Sequence, residues 1–422
     1  MKTKATTEKV ILKTENLGSL FQLNSTEISQ EKFSLCIPPY QRIYCWEEKN
    51  VIQLLDDILN YSEKTYHLGN IILHKKQIDT TIKYDVVDGQ QRLVTLSLLL
   101  LEIKTDINLK FLEEIFESDE AREYIAYNKF LIKNYAENNS SIRQKISNIL
   151  NHLQFSVLII EEGSLDLAYT FFSNQNSRGK PLSDYALLKA HHLRFIYIPE
   201  QAEHLAKRWD SILLDDGNDE STELLNKTFD KYLFRLRKWM RKKEWSNDEQ
   251  YKVKTEFEAA PIIKEIPPFG EQFFFNESIQ GGTHFFAYAD HFIYKFKSFS
   301  KTLEFELLEK YLSQDNHWWY RDIAEAFLFA YYLKFGSIYL EEALNGILKV
   351  ISNHRYSNTR VYLRTVLRFA GESEIAMMID QATSPTFFLA ELQNIGKTIG
   401  KNNNGGTRGR YENGIKNIID RK

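Results

Sequence analysis

The segment YDVVDGQQR, residues 84–92, decides how the first half of the chain folds. A valine-rich run ends at Asp88 and Gly89, and the apolar segment LVTLSLLLLEI follows directly. The short apolar run predicts a strand, and the long one after the glycine predicts a buried helix. Asp88 and Gln91 have the spacing of a helix-capping box, with Asp in the role of Ser or Thr. The segment therefore predicts a tight strand-to-helix junction.

Capping does not explain every polar residue of this junction. Arg92 lies in the first helical turn, where a positive charge opposes the helix dipole by ~0.3–1 kcal/mol. Free backbone N–H groups at such a junction can bind an anion, and an arginine fork donates two parallel hydrogen bonds to a phosphate. Gln90 also falls outside the capping pattern. Spacing alone leaves two interpretations open, a plain helix cap and a phosphate site.

A second segment, PPYQRIYCW (residues 38–46), repeats the glutamine–arginine pair at Gln41 and Arg42. Its aromatic residues, Tyr40 and Trp46 among them, can stack on a base or close a pocket. The alternative is an edge strand with an exposed arginine and a tryptophan in the core.

Strands and helices alternate in the first half of the chain. GNIILHKK and KYDVVDG predict a hairpin, FSVLIIEE a buried strand, and LSDYALLKAHHLRF a helix capped by Ser183. The second half has helical apolar spacing, and the tail is too rich in Gly and Asn to pack well. We predict an α+β fold with an N-terminal arm (1–24), a mixed domain (25–210), a mostly α-helical domain (222–396) and a flexible basic tail (397–422).

Composition and charge set limits on function. Hydrophobic residues make up 43% and charged residues 26% of the 422 residues, as in ordinary globular proteins. The net charge of −3 means that nucleic acid must be bound through local patches. The only cysteines, Cys36 and Cys45, fit a reducing compartment. With no signal peptide and no apolar run of ~18 residues, we expect a cytoplasmic protein without a membrane span.

Two basic runs provide such patches. FRLRKWMRKKEW (234–245) surrounds two tryptophans with positive charge, and NHRYSNTRVYLRTVLRFAG (353–371) contains no acid. In the second run three arginines recur at every fourth position, which on one helix spaces the charges ~6 Å apart, as phosphates are spaced on a strand. A solvated helix face is the alternative. The candidate DNA-binding residues are Arg237, Lys238, Arg241, Arg360, Arg364 and Arg368.

The order of the motifs resembles the N-terminal domain of GmrSD-type restriction proteins, which is related to the ParB/sulfiredoxin-like fold. PxYQRxYxW, HLGNIIL and VVDGQQR carry the resemblance, and FFSNQNSRGKPLSDYALLK adds an Asn–x–x–Gly loop before a helix ending in Leu–Leu–Lys. The resemblance covers roughly residues 30–200. It implies a small sheet with helices that binds, and usually hydrolyses, a nucleotide in bacterial defence against phage DNA.

The resemblance also implies residue roles. Asp88, Gln90, Gln91 and Arg92 would serve catalysis. Arg92 and Arg42 would neutralise phosphate charge, and Asp88 would hold Mg²⁺ or a water. Gln91 would orient that water, and Gln90 would touch the nucleotide, which is GTP, CTP, UTP or ATP. A plain connection is the alternative for the NSRGKP loop. The nucleotide-binding residues implied are Tyr40, Gln41, Arg42, Gly89, Asn176 and Lys180.

The resemblance does not extend to a nuclease domain. Many members carry a C-terminal HNH-type nuclease, but the late histidines here are scattered without a zinc-site spacing. We expect DNA, modified phage DNA included, and a separate nuclease or effector subunit as partners; homo-oligomerisation stays open. Two rival functions are a ParB-like, nucleotide-switched DNA adaptor with little turnover, and a non-catalytic structural subunit. The late histidines are His284, His291, His317 and His354.

Overall fold

The chain folds into two compact units, Met1–Lys207 (unit 1) and Arg208–Lys422 (unit 2). Unit 1 combines a sheet with helices, and unit 2 is built from helices, so the fold has the predicted α+β class. The computed structural model describes residues 10–21, 23, 34–38, 40–41, 43–61, 65–78, 81–103, 119–161, 167, 171, 183–196, 198–214, 224–241, 253–258, 273–358, 360–395 and 406–421.

A five-stranded mixed sheet forms the centre of unit 1. Its strands are β1 (Val10–Asn16), β2 (Leu35–Cys36), β3 (Tyr66–Ile78), β4 (Thr81–Asp88) and β5 (Leu153–Ile160), in the spatial order β1-β5-β3-β4-β2. β3 and β4 form the predicted antiparallel hairpin, and β5 lies parallel to β3. β2 pairs in parallel with β4, which brings the segment before residue 38 beside the strand that ends at Asp88.

Helices of unit 1 pack on the apolar face of this sheet. The predicted helix after the junction forms, and Ser183 caps a later helix by accepting a hydrogen bond from the Ala186 N–H at 3.2 Å. The helices are α1 (Leu17–Leu20), α2 (Glu48–Asn60), α3 (Gln90–Ile103), α4 (Asp119–Asn138), α5 (Ser141–Gln144), α6 (Ile146–His152), α7 (Asp184–Leu193) and α8 (Pro199–Leu214), which contains the boundary between the units.

The two faces of the sheet differ in chemistry. One face buries Leu73, Val86 and Phe155 in an apolar core that also includes α3. Because side chains alternate along a strand, His74 and Asp85 lie on the other face, where both are buried. These two residues stand opposite each other in the β3–β4 register. The second face therefore buries polar groups, which the core face largely excludes.

The N-terminal arm predicted at residues 1–24 is not separate from the sheet. β1 pairs along its whole length with β5, from Val10 opposite Ile160 to Asn16 opposite Gln154. Leu17 then enters the core. Residues 10–20 of the predicted arm thus belong to the sheet and core of unit 1. The pairing partner of β1 lies far away in the sequence, so no local pattern predicted this pairing.

Unit 2 is organised around one central helix, α13, whose residues from Tyr320 to Tyr331 are all buried. Among the described residues, no helix has both the length and the apolar character to cross a bilayer. Besides a π-helix (Asn226–Leu233), the helices are α9 (Phe234–Met240), α10 (Val253–Phe257), α11 (Thr283–Phe299), α12 (Leu303–Tyr311), α13 (Trp318–Phe335), α14 (Leu340–Ser357), α15 (Leu363–Glu372), α16 (Ile375–Gln381), α17 (Pro385–Ile395) and α18 (Thr407–Ile419).

A buried acid lies between α13 and the π-helix. Glu325 is fully buried, and its Oε2 accepts a hydrogen bond of 2.6 Å from the Tyr232 hydroxyl. Burial raises the pKa of Glu325 to about 8, although Arg321, whose Nε lies 3.5 Å from Oε1, acts in the opposite direction. Burial thus favours the protonated form of the Glu325 carboxyl group relative to an exposed one.

The structure corrects the prediction of a flexible tail at 397–422. Residues 407–419 form α18, whose Tyr411 and Ile415 are buried. A Cβ added to Gly414 would lie 2.7 Å from the Tyr311 carbonyl oxygen, so the glycine permits close packing of α18 on α12. The glycine content of the tail predicted poor packing, but Gly414 is needed for the close packing of α18. Residues 397–405 lie outside the described residues.

Candidate functional site

The strand-to-helix junction forms as predicted. β4 ends at Asp88 and α3 begins at Gln90. Gly89 between them has φ = +99°, a conformation that favours glycine, and an added Cβ would lie 3.1 Å from Ile71 Cγ1. α3 begins one residue later than a cap at Asp88 requires, so Gly89 occupies the N-cap position. The capping-box interpretation of Asp88 and Gln91 is therefore wrong.

Gln91 holds the second motif in place. Its Oε1 accepts a hydrogen bond from the Cys45 N–H at 2.9 Å, and its Nε2 donates to the Ile43 carbonyl at 3.1 Å. The side chain is buried, so both ends of the amide are used for positioning the chain. Gln91 therefore has a structural role, and its predicted role in orienting a water stays a prediction.

Gln41 makes the matching connection in the other direction. Its Nε2 donates to the carbonyl oxygens of Val86 and Val87, at 2.8 and 2.6 Å. The side chain of Gln41 thus binds the last residues of β4 before Asp88. The structure therefore brings the two glutamine–arginine motifs, far apart in sequence, into direct contact.

Arg92 forms two hydrogen bonds to an irregular part of β3. Its Nη1 donates to the Leu68 carbonyl and its Nη2 to the Asn70 carbonyl, each at 2.6 Å. Gly69 between these carbonyls has φ = +96°, and an added Cβ would lie 2.8 Å from Nη1. The β3–β5 register shifts at the same place. Arginine has five N–H donors, so two carbonyl bonds leave capacity for a phosphate.

Asp88 completes the exposed part of the junction. Its Oδ2 lies 3.6 Å from Arg92 Nη2, and the two side chains are 34% and 24% exposed. Burial lowers the pKa of Arg92, and the neighbouring Asp88 offsets part of this shift. A carboxylate and a guanidinium thus meet at the start of α3 within reach of solvent. No group of three metal-ligating side chains occurs in the described ranges, so Mg²⁺ at Asp88 would need phosphate oxygens as ligands.

The remaining predicted nucleotide-binding residues divide into buried and undescribed ones. Tyr40 and Gln90 are both buried. The Oε1 atom of Gln90 has no hydrogen-bond partner within the described part of the chain, although the residue is only 5% exposed. Arg42, Asn176 and Lys180 lie outside the described residues.

Lys189 is a polar residue of this region that we did not predict. It lies on α7, is 2% exposed, and its Nζ donates to the Gln41 carbonyl at 3.3 Å. A lysine is rarely fully buried without a specific partner. The sequence feature that could have predicted this buried lysine is its position inside the apolar run of α7, next to Leu188.

Of the run 234–245 the structure describes residues 234–241, and most of these are buried. Arg237 is 1% exposed, and its Nε lies 2.7 Å from Glu256 Oε1. Lys238 is buried with its Nζ 5.2 Å from the centre of the Phe234 ring, and Arg241 binds the same Glu256 at 2.5 Å. Arg237 and Lys238 are thus buried inside unit 2, so the prediction of DNA binding by these two residues is wrong. Arg241 is exposed, and its contact with DNA stays a prediction.

The arginine series at 353–371 is exposed but does not form a single helical ridge. α15 begins only at Leu363, so Arg360 lies in the connection before the helix. Arg364 and Arg368 lie one turn apart on α15, and Arg368 Nε is 3.7 Å from Glu372 Oε1. All three arginines are exposed, and their contact with DNA remains a prediction.

Comparisons with known proteins agree with this division of the chain. Residues 18–193 match the family model of the GmrSD restriction endonuclease N-terminal domain. Residues 201–407 match a family of unknown function (DUF7834). No curated protein matches the chain.

Proposed function

We propose that this chain, whose residues 18–193 match the model of the GmrSD restriction endonuclease N-terminal domain, is a nucleotide-binding component of a bacterial restriction system that hydrolyses a nucleoside triphosphate. The observation that carries the proposal is the Asp88–Arg92 pair at the start of α3. It is partly exposed, whereas the polar residues around it are buried and bind backbone groups. Such a fixed pair beside free helical N–H groups suits a phosphate with its metal ion.

Each residue of the pair would have a separate task. Arg92 would donate to phosphate oxygens through the N–H groups that its two carbonyl bonds leave over. Asp88 would hold Mg²⁺, which would neutralise phosphate charge, or a water. Gln90 would accept a hydrogen bond from the nucleotide at its Oε1, a buried acceptor with no partner in the described ranges.

Unit 2 would connect nucleotide turnover to DNA. Arg360, Arg364 and Arg368 are exposed and would contact phosphates. Nucleotide hydrolysis would then gate DNA recognition or the activity of a separate nuclease subunit.

A nucleotide-switched adaptor with little turnover is the second candidate. The geometry of Gln91 favours it, since the amide that we expected to orient the attacking water binds Ile43 and Cys45 instead. Both candidates bind nucleotide, and they differ in steady-state phosphate release, which the adaptor would show only at a very low rate.

Asp88→Asn is the sharpest test of hydrolysis, because it removes the charge and keeps the shape. We expect phosphate release in the presence of Mg²⁺ to fall to the background level, while the melting temperature stays close to that of wild type. Asp380→Asn, the same change in unit 2, is the matched control and should leave phosphate release unchanged. Wild-type phosphate release by Asp88→Asn would rule out the assignment, and failure of wild type to bind GTP, CTP, UTP or ATP would rule out the function.

A further inference from the structure

Arg355 is a buried guanidinium of unit 2 that the proposed function does not use. It lies in the last turn of α14 and is 8% exposed. Among the described residues its one hydrogen bond runs from Nη1 to the Asn358 carbonyl, at 3.4 Å, and it forms no ion pair with them. A buried charge is costly when no opposite charge compensates it. The environment of Arg355 therefore calls for an anion.

A second arginine meets Arg355 at the same acceptor. Arg408, in the first turn of α18, donates from Nη2 to the Asn358 carbonyl at 2.6 Å. It too forms no ion pair within the described ranges. Two guanidinium groups that share one carbonyl repel each other, and the carbonyl carries no net charge to offset them. Positive charge is thus concentrated where α14 ends and α18 begins.

The acids near this arginine pair are bound to other cations. Asp315 Oδ2 lies 2.7 Å from Arg410 Nε, and Glu412 Oε1 lies 2.9 Å from Lys416 Nζ. In the part of the chain that the structure describes, neither carboxylate forms an ion pair with the two arginines at the Asn358 carbonyl. The fold brings acids to this region without neutralising the pair.

The N-terminus of α18 adds further donors. Its N-cap is Gly406, with φ = +77°, and no described side chain caps the helix. The first turn contains no acid, although acids are favoured there, and holds Arg408 and Arg410 instead. The first N–H groups of a helix point at an anion that binds there. A bound anion would therefore contact backbone donors and Arg408 together.

A buried hydroxyl beside Arg355 also points to a ligand. The Tyr356 hydroxyl has no hydrogen-bond partner within the described residues, although solvent does not reach it. Burial raises the pKa of Tyr356 to about 12, Glu412 adds to this rise, and the nearby charge of Arg355 acts against it. Tyrosine hydroxyls and arginine guanidinium groups are both common donors to phosphate oxygens.

We propose that Arg355 and Arg408, together with the N-terminal N–H groups of α18, form a phosphate-binding site in unit 2. A phosphate supplies the negative charge that this pair lacks among the described residues, and its oxygens accept from both guanidinium forks. The phosphate can belong to a DNA backbone or to a free nucleotide. The inference does not depend on the Asp88–Arg92 pair of unit 1. The competing explanation is that the two arginines only tie α18 to the end of α14.

Hydrogen exchange of the full chain tests the site, with inorganic phosphate replacing chloride at constant ionic strength. At about ten times the dissociation constant of phosphate, exchange in residues 406–411 should slow roughly 10-fold. Arg408→Gln removes a charge and Arg355→Lys removes a fork, so both should lose most of this protection. Arg410→Gln is the matched control in the same turn, because Asp315 already pairs with Arg410, and it should keep the protection.

The same measurement with other ligands identifies the source of the phosphate. Stronger protection of residues 406–411 by a duplex oligonucleotide than by ATP, GTP, CTP or UTP would assign the DNA backbone, and the reverse would assign a free nucleotide. If Arg355→Lys loses its fold by circular dichroism, Arg408→Gln alone decides. Equal protection in wild type and Arg408→Gln, its loss in Arg410→Gln, or no protection of wild type by any of these ligands would overturn the inference. Phosphate release by unit 1, which Asp88→Asn tests, would be unaffected by any of these outcomes.

Discussion

Replacing Arg92 by alanine should destabilise unit 1 before any effect on chemistry is considered. The substitution removes two hydrogen bonds of 2.6 Å from a charged donor to the Leu68 and Asn70 carbonyls. Each such bond contributes ~1.5–3 kcal/mol, and partial exposure of Arg92 puts both at or slightly below the lower end of that range. The ion pair with Asp88 adds ~0–1 kcal/mol. We expect a total loss of about 2–4 kcal/mol in the free energy of unfolding of unit 1.

Urea unfolding followed by hydrogen exchange in β3 measures this loss. With a slope of about 2 kcal/mol per molar urea, the midpoint for unit 1 should fall by ~1–2 M. Arg143→Ala is the control, because Arg143 is 52% exposed and its pair with Glu102 spans 3.4 Å. Its effect should stay within ~0.5 kcal/mol. Equal midpoints for the two variants would refute the argument that Arg92 holds the irregular part of β3.

Three further outcomes are expected. Burial raises the pKa of Glu325 to about 8 in the folded state, so the stability that this residue contributes is fully present below its unfolded pKa and is lost as pH rises toward 8. The melting temperature should therefore fall between pH 5 and pH 8, and Glu325→Gln should remove the part of this fall that Glu325 causes. The same fall in the variant would contradict the raised pKa of Glu325. Changing Arg360, Arg364 and Arg368 together to Gln should flatten the dependence of log K for duplex DNA on log salt by roughly two to three units, while nucleotide hydrolysis persists; an unchanged slope would show that these arginines form an ordinary solvated surface. The purified chain with Mg²⁺ should leave plasmid DNA uncut, and cleavage by this chain alone would reveal a nuclease centre that we missed.

The elements with strong local signals could be predicted from the sequence. The hairpin of β3 and β4, the buried strand β5 and the helix α3 all follow from apolar periodicity and from Gly89. The hydrogen bonds of the site could not be predicted in this way. Gln41, Gln91 and Arg92 bind carbonyl and N–H groups of segments remote in sequence, and the identity of those groups depends on strand pairing, which no local pattern records.

The basic runs illustrate a different limit. A run of positive charges has the same appearance in sequence whether it faces solvent or is buried against acids. Arg237 is buried because Glu256 on α10 meets it, whereas Arg364 on α15 is exposed. The sequence of a basic run does not show which acidic residues from other parts of the chain pack against it in the fold.

The parallel pairing of β3 with β5 fixes an order of events during synthesis. Tyr66 pairs with Leu153 and His74 with Ile160, so β3 gains its second neighbour only after the helices α3 to α6 have been made. Until then the hairpin of β3 and β4 carries an open edge of unpaired backbone groups. β1, although translated first, must wait for the same β5. The sheet of unit 1 is therefore completed late on the ribosome, and a chain truncated before residue 153 would expose a strand edge prone to aggregation.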